Sequence, residues 1–302
     1  MKIALIVIGR LENRYVIEFI DYYKQLGINT IFIVDNNNDD EEWFEDVLSD
    51  EYRQKNSIKI IHYRGYQDIL NFQIDTYVKI YNKFKDKFDW FIFLDFDEFL
   101  TLTEDKTIQD YLSRECFKNK IQILINWKIY TDNDLVYDDG RGCLERFVTP
   151  MDIYKHVEYK DMFENAHVKP LIRTKITNIK FNNPHIINSS NKQLNDILNV
   201  TSCNNCGNLC KLHHWQLDSN NLINYDLSYI KHFTTKTIDE WVNNKIKRGC
   251  GDRKPEFFNK TYPLERFFKY NKITDEKLKY LNDQGFDITN LNEDKCKQWY
   301  VE

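Results

Sequence analysis

The chain has 302 residues, with 42 Lys and Arg against 47 Asp and Glu and a formal charge of −5. Its cations are scattered among the acids rather than gathered in a stripe, which speaks against nucleic acid as a partner. No segment reaches the ~18 uninterrupted apolar residues of a membrane span. The N-terminal run MKIALIVIGRLENR lacks the small-residue cleavage site of an export signal. A cytosolic protein is expected, with peripheral contact at the inner face of a membrane left open. Seven cysteines, an odd number, argue for reduced thiols rather than a disulfide framework.

In chain order, residues 3–8 (IALIVI) form a continuous aliphatic run that predicts a strand. Residues 12–26 place Tyr15, Phe19, Tyr22, Tyr23 and Leu26 at helical spacing, and Gly27 is the predicted stop. Residues 30–34 (TIFIV) repeat the short apolar run, and DNNNDD follows as a polar turn. A third strand is expected over 58–62, then an amphipathic helix from about Asp68 to Phe84, then a fourth strand over Trp90–Leu94. Short runs that are apolar throughout, alternating with helical patterns, predict strands buried on both faces of a mostly parallel sheet. The expectation is α/β, a doubly wound core over the first 130 residues. Further on, 121–127 and 168–173 predict strands, and the Asn-rich stretch 186–225 predicts a turn-like insertion. Thr237 and Glu240 have capping-box spacing and predict a helix through about Lys247; 275–284 and 292–300 are expected to close the chain as helices.

The most informative stretch is WFIFLDFDEFL, Trp90 to Leu100, in which five apolar residues lead into Asp95, Asp97 and Glu98. In an open α/β sheet ligands bind beyond the carboxyl ends of the strands, where these acids fall. If the chain stays extended, Asp95 and Asp97 point one way while Phe96 and Glu98 point the other. Two converging carboxylates repel unless a cation joins them, and a hard divalent ion takes one or two protein carboxylates plus substrate phosphates. Against this stands a simpler reading, in which Asp97 or Glu98 caps the next segment and Asp95 ends the strand. An aspartyl-nucleophile phosphatase pattern also follows a buried strand, but wants Thr or Val at the position of Phe99 and lies near a chain start.

Taken in order, GRLENRYVIEFIDYYKQLGI, IFIVDNNNDD, WFIFLDFDEFL, YTDNDLVYDDGRGCLERF, VKPLIR and KHFTTKTIDEWVNNKIKRG span roughly Ile3 to Gly249. Together they resemble nucleotide-sugar glycosyltransferases of the GT-A (Rossmann-like) fold, within them the family 92-like group that includes bacterial surface-polysaccharide galactosyltransferases. The resemblance implies one domain with an elaborated C-terminal region: a nucleotide-binding core over 1–130, an acceptor and metal/diphosphate part over 131–250, and closing helices over 251–302. It implies that Arg10, Glu12, Asn13 and Asp35 hold the nucleoside, with Gln73 a further member of that pocket; as a residue of DNNNDD, Asp35 also reads as a turn former. It implies Mn2+ or Mg2+ on Asp95 and Asp97, with His232 completing the shell, and Lys236, Lys245 and Arg248 beside the diphosphate. Cations at the end of the 238–247 helix also suit its dipole.

The implied reaction is hexose transfer from a nucleoside diphosphate, uridine-linked and inverting, to a hydroxyl of a glycan acceptor. Asp132, Asp134 and Glu145 are the candidate bases, with Glu145 preferred, although each also reads as a member of a solvated loop. Two other readings are a phosphotransfer hydrolase with Asp95 as nucleophile and a sugar-nucleotide or glycan-binding protein without activity. Separately, CNNCGNLCKLHH offers Cys203, Cys206 and Cys210 followed by two histidines, ligands enough for a structural zinc, against free thiols in an Asn-rich loop.

Overall fold

The computed structural model describes residues 1–66, 71–151, 165–174, 176, 179–181, 183–187, 192–208, 212–213, 216–217, 223–246, 262–292 and 296. They fall into two compact units, Met1–Trp127 with Phe163–Lys231, and Lys128–Met162 with His232–Glu302.

The elements in chain order are β1 (Ile3–Gly9), α1 (Asn13–Leu26), β2 (Thr30–Asp35), α2 (Asp50–Asn56), β3 (Ile58–His62), α3 (Phe72–Phe84), β4 (Trp90–Leu94), β5 (Glu98–Leu102) and α4 (Ile108–Leu112). There follow β6 (Gln122–Ile129), α5 (Cys143–Arg146), β7 (Val168–Arg173), α6 (Lys192–Thr201), β8 (Ser202–Asn204), the ribbon of β9 (Leu212–His213) and β10 (Gln216–Leu217), and β11 (Ser228–His232). The last are α7 (Ile238–Glu240), which continues as a π-helical turn Trp241–Ile246, then α8 (Tyr262–Tyr270) and α9 (Asp275–Asp283).

Eight strands of the main sheet run in the order β3-β2-β1-β4-β7-β6-β11-β5, with β8 beside β6. β3, β2, β1 and β4 are parallel, β7 is antiparallel to β4 and to β6, and β8 is parallel to β6. This is the expected α/β class, a mostly parallel sheet flanked by helices. β1 and β4 carry no charged residue and are buried almost throughout, as strands covered on both faces must be. α1 buries Tyr15, Val16, Phe19, Ile20 and Tyr23. It stops where Gly27 takes φ +102°, returning its N–H to the carbonyls of Tyr23 and Lys24. From β1 the chain builds outward to β2 and β3, then crosses back to lay β4 on the other side of β1. The order therefore reverses between β1 and β4, and the carboxyl ends of those strands frame the crevice where such sheets take their ligands.

Several expectations need adjustment. The helix expected from Asp68 is described from Phe72, and 67–70 lie outside the described residues. Within 186–225 the chain forms a ten-residue helix, α6, and a strand, β8, that joins the main sheet; the Asn-rich composition concealed Leu198, which is buried in the core. The expected helix over 292–300 lies almost wholly outside the described residues. The capping box opens α7 as its spacing indicated, with Thr237 Oγ1 accepting from the Glu240 N–H and the Glu240 carboxylate returning to the Thr237 N–H.

Candidate active site

β4 ends at Leu94, and the acids after it do not continue as a strand. The Glu98 N–H donates to the Asp95 carbonyl at 3.1 Å, closing a four-residue turn from which β5 departs. The extended alternation expected over these residues is thereby corrected. Glu98 does not face away from Asp95: its carboxylate folds back and accepts from the Asp95 N–H at 2.9 Å. Phe96 is the residue that plugs into the core, 2 % exposed, with ring centroids 4.9 Å from Phe19 and 5.6 Å from Phe44. Its ring lies over Gly9, where a Cβ would stand 2.3 Å from the nearest ring atom. The acid turn is thus seated on the end of β1 because β1 ends in a residue without a side chain.

Lys169, on β7, completes the cluster, and sequence reasoning missed it. Its side chain is fully buried, with Nζ 2.7 Å from Asp95 Oδ2 and 3.3 Å from Glu98 Oε2. The other Asp95 oxygen accepts from Gln73 Nε2 at 3.1 Å, and the same amide donates to the buried Tyr77 hydroxyl at 3.0 Å. Burial alone would discharge Lys169, but Asp95 and Glu98 outweigh it and hold the ammonium above its ordinary range. Burial pushes the Glu98 carboxyl well up, Lys169 opposing and Asp95 adding to the rise. Glu98 Oε1 is buried without a hydrogen-bond partner among the described residues. A signal for Lys169 was present: a charge inside the apolar run VKPLIR needs a buried acid.

The loops after β1 and β2, proposed to hold a nucleoside, are tied to one another. Arg10 grips Glu41 through two nitrogens, Nε at 2.8 Å and Nη2 at 2.5 Å. Asn13 donates its N–H to Glu42 at 2.7 Å and its amide to the Trp43 carbonyl at 2.8 Å, while the Glu12 carbonyl accepts the first N–H groups of α1. Asp35 is fully buried and accepts from Arg64 Nη1 at 2.8 Å and from the Asn37 N–H and amide at 3.1 and 2.7 Å, with His62 Nδ1 at 3.0 Å. Burial raises its pKa, but Arg64, Asn37 and His62 prevail and bring it below the usual carboxylate value. Arg64 also donates to the carbonyls of Asn38, Glu41 and Glu42 and lies over the Trp43 ring, 3.6 Å from its centroid. Its position outside every quoted motif kept it hidden.

The second unit holds the other candidates. Asp132 is buried against Lys277 Nζ at 2.6 Å, with burial raising its carboxyl and Lys277 opposing. Asp134, half exposed, lies 3.5 Å from Lys277 and 3.3 Å from Lys272. Glu145, on α5, is the most open of the three, its side chain 66 % exposed and 3.5 Å from Arg141. His232 ends β11 and is nearly buried, its carbonyl accepting from the Tyr130 N–H at 3.1 Å. Lys236 is buried with φ +53°, in the left-handed region, and Lys245 rides on the π-helical turn. Arg248 lies outside the described residues.

Among the described residues no three His, Cys, Asp or Glu side chains gather as a metal ion would need. Cys203 is buried with Sγ 3.6 Å from the Gln122 carbonyl, Cys206 Sγ lies 3.3 Å from Asp226, and Cys210 falls outside the described residues. At the acid turn the donors are hard carboxylate oxygens and Asp95 is 38 % exposed, a donor chemistry that suits a hard divalent ion only where phosphate oxygens supply most of its shell.

No protein-family model and no curated protein matches the chain. Solved structures are similar to it: TarS from S. aureus, with TM-score 0.39 and 13 % identity, matches 92 % of this chain and 46 % of its own. GalNAc-T7 with UDP, GalNAc and Mn2+ has TM-score 0.39 and 14 % identity over 95 % of this chain and 55 % of its own. A cytidylyltransferase from Leptospira borgpetersenii serovar Hardjo-bovis (strain JB197) has TM-score 0.28 and 11 % identity over 58 % of this chain and 61 % of its own. The chain thus spans about half the length of these solved chains. No helix of the described residues is long and apolar enough to cross a membrane.

Proposed function

We propose that the chain is a GT-A glycosyltransferase that moves a hexose from a uridine-linked nucleoside diphosphate to a hydroxyl of a glycan, with inversion. The observation that carries this reading is the acid turn Asp95–Glu98, placed by β4 at the point where strand order reverses and held open on one side while Lys169 and Gln73 fix it on the other. Asp95 and Asp97 are the residues that would hold Mg2+ or Mn2+, with His232 as the further ligand implied by the resemblance. Such an ion supplies charge neutralisation for the departing diphosphate. Lys169 holds one Asp95 oxygen in place, and Gln73 fixes the second. Lys236 and Lys245 are the proposed cationic partners of the leaving group. Glu145 is the proposed base for the acceptor hydroxyl, because Asp132 is spent on Lys277 and Asp134 faces two lysines.

The test is a panel of sugar nucleotides incubated with the protein and acceptor glycans, with Mn2+ present or chelated, following nucleoside diphosphate release. Release that requires the cation and a hexose appearing on the acceptor are expected. A phosphoryl group trapped on Asp95 would replace the proposal with a phosphotransfer hydrolase. Nucleotide binding without turnover on any donor would leave only a binding protein.

A further inference from the structure

Lys169 touches no reacting group in the proposed transfer, yet its own place is tightly fixed. It is fully buried, it projects from a strand hydrogen-bonded to β4, and its ammonium sits on Asp95 Oδ2. We infer that Lys169 is the resident counter-ion of the acid turn, a positioning residue that makes cation binding there conditional on a diphosphate. The inference rests on the transferase reading above.

The argument is one of charge and room. Lys169 Nζ lies 2.7 Å from Asp95 Oδ2 and 3.3 Å from Glu98 Oε2, while Gln73 Nε2 takes Asp95 Oδ1 at 3.1 Å. Both Asp95 oxygens therefore already accept a hydrogen bond. A divalent ion arriving alone meets a turn from which one unit of negative charge has been removed, and meets a like charge close behind it. The lysine cannot retreat: β7 is registered against β4, with Ile92 opposite Leu171, and the side chain has no exposed surface. A diphosphate changes this balance, because it brings its own negative charge and the oxygens that fill the shell of the ion. Cation and nucleotide then each raise the affinity of the protein for the other by the same factor.

Titration of the whole chain with Mn2+, read by the loss of the free-ion electron paramagnetic resonance signal, with and without uridine diphosphate, tests this. The unmodified protein is expected to bind Mn2+ at least about tenfold more tightly with the nucleotide than without it. Lys169→Gln restores one negative charge and is expected to gain Mn2+ binding without nucleotide, about fivefold or more, so that the coupling shrinks. Lys169→Arg keeps the charge and is expected to keep the coupling. A gain of binding is a result that damage to the fold does not produce. Equal affinity for Mn2+ with and without nucleotide in the unmodified protein overturns the inference and leaves the transferase reading standing. Loss of nucleotide-dependent binding in Lys169→Gln with no gain for Mn2+ alone makes the lysine a structural residue and also overturns it. Absence of Mn2+ binding in every condition removes the metal reading itself, and the inference with it. Should Lys169→Gln fail to fold, the unmodified protein and Lys169→Arg still decide, since loss of coupling in the latter counts against the inference.

Discussion

Each unit contains a buried lysine set against an aspartate at nearly the same distance, Lys169 on Asp95 at 2.7 Å and Lys277 on Asp132 at 2.6 Å. Both lysine side chains are fully buried, yet Asp132 is 1 % exposed whereas Asp95 is 38 % exposed. The closed pair is internal to its unit, with the Asp132 N–H taken by Asn271 at 2.7 Å and Asp132 Oδ1 taken by the Asp134 N–H at 2.9 Å. The open pair offers a carboxylate whose inner side is fixed and whose outer side is wet. On the proposed reading it is the exposure of the acid, not the ion pair itself, that marks the site, since burying both partners brings little net stability.

The largest effects should separate the two pairs. Asp95→Asn is expected to lower donor turnover by about 10²–10³, as loss of one transition-state charge contact does, and to lower the urea midpoint as well, since fully buried Lys169 loses its nearest carboxylate. Glu145→Gln should also reduce turnover, by about 10²–10⁴, while nucleotide binding measured by calorimetry is unchanged. If Glu145→Gln transfers normally, the base lies elsewhere. At the closed pair the order inverts. Lys277→Met leaves Asp132 buried and unpaired and should cost about 3–5 kcal/mol in urea denaturation, and adding Asp132→Asn should recover part of it. A Lys277→Met protein as stable as its parent would remove the distinction between the pairs.

Much of this was legible in the sequence, and the parts that were not have physical causes. Uniformly apolar β1 and β4 permit only a strand buried on both faces, and Gly27 marks its helix end by a conformation other residues resist. The acids after β4 were legible as a cluster at the end of a buried strand, but their directions were not. A reversal closed by the Glu98 N–H on the Asp95 carbonyl depends on Phe96 finding the space over Gly9, a contact that only tertiary packing creates. Lys169 is 74 residues from Asp95, and nothing local in VKPLIR says which acid it meets. Asp35 shows the reverse case: a nucleoside ligand by resemblance, it accepts hydrogen bonds from Arg64 and Asn37, partners the resemblance does not name.

Smaller effects sharpen the comparison from the side of packing and pH. Gly9→Ala forces the Phe96 ring to move and is expected to cost about 1–3 kcal/mol in thermal or urea unfolding, with turnover reduced further because the acid turn moves with the ring. Unchanged stability would show that the ring has another place to go. Asp35 has a pKa below its unfolded value, so the stability it contributes is present above that unfolded value and is lost as pH falls through the folded one. Stability measured from neutral pH down through the carboxylate range should decline less steeply in Arg64→Met, whose Asp35 lacks its main partner. An identical slope would place the acid sensitivity on other groups.

The guanidinium of Arg64, lying on Trp43 and fastened to three carbonyls of the segment after β2, has a consequence for the proposed nucleoside pocket. A wall cross-braced in this way arrives at an encounter already set, so little disorder is surrendered when a guest docks against it.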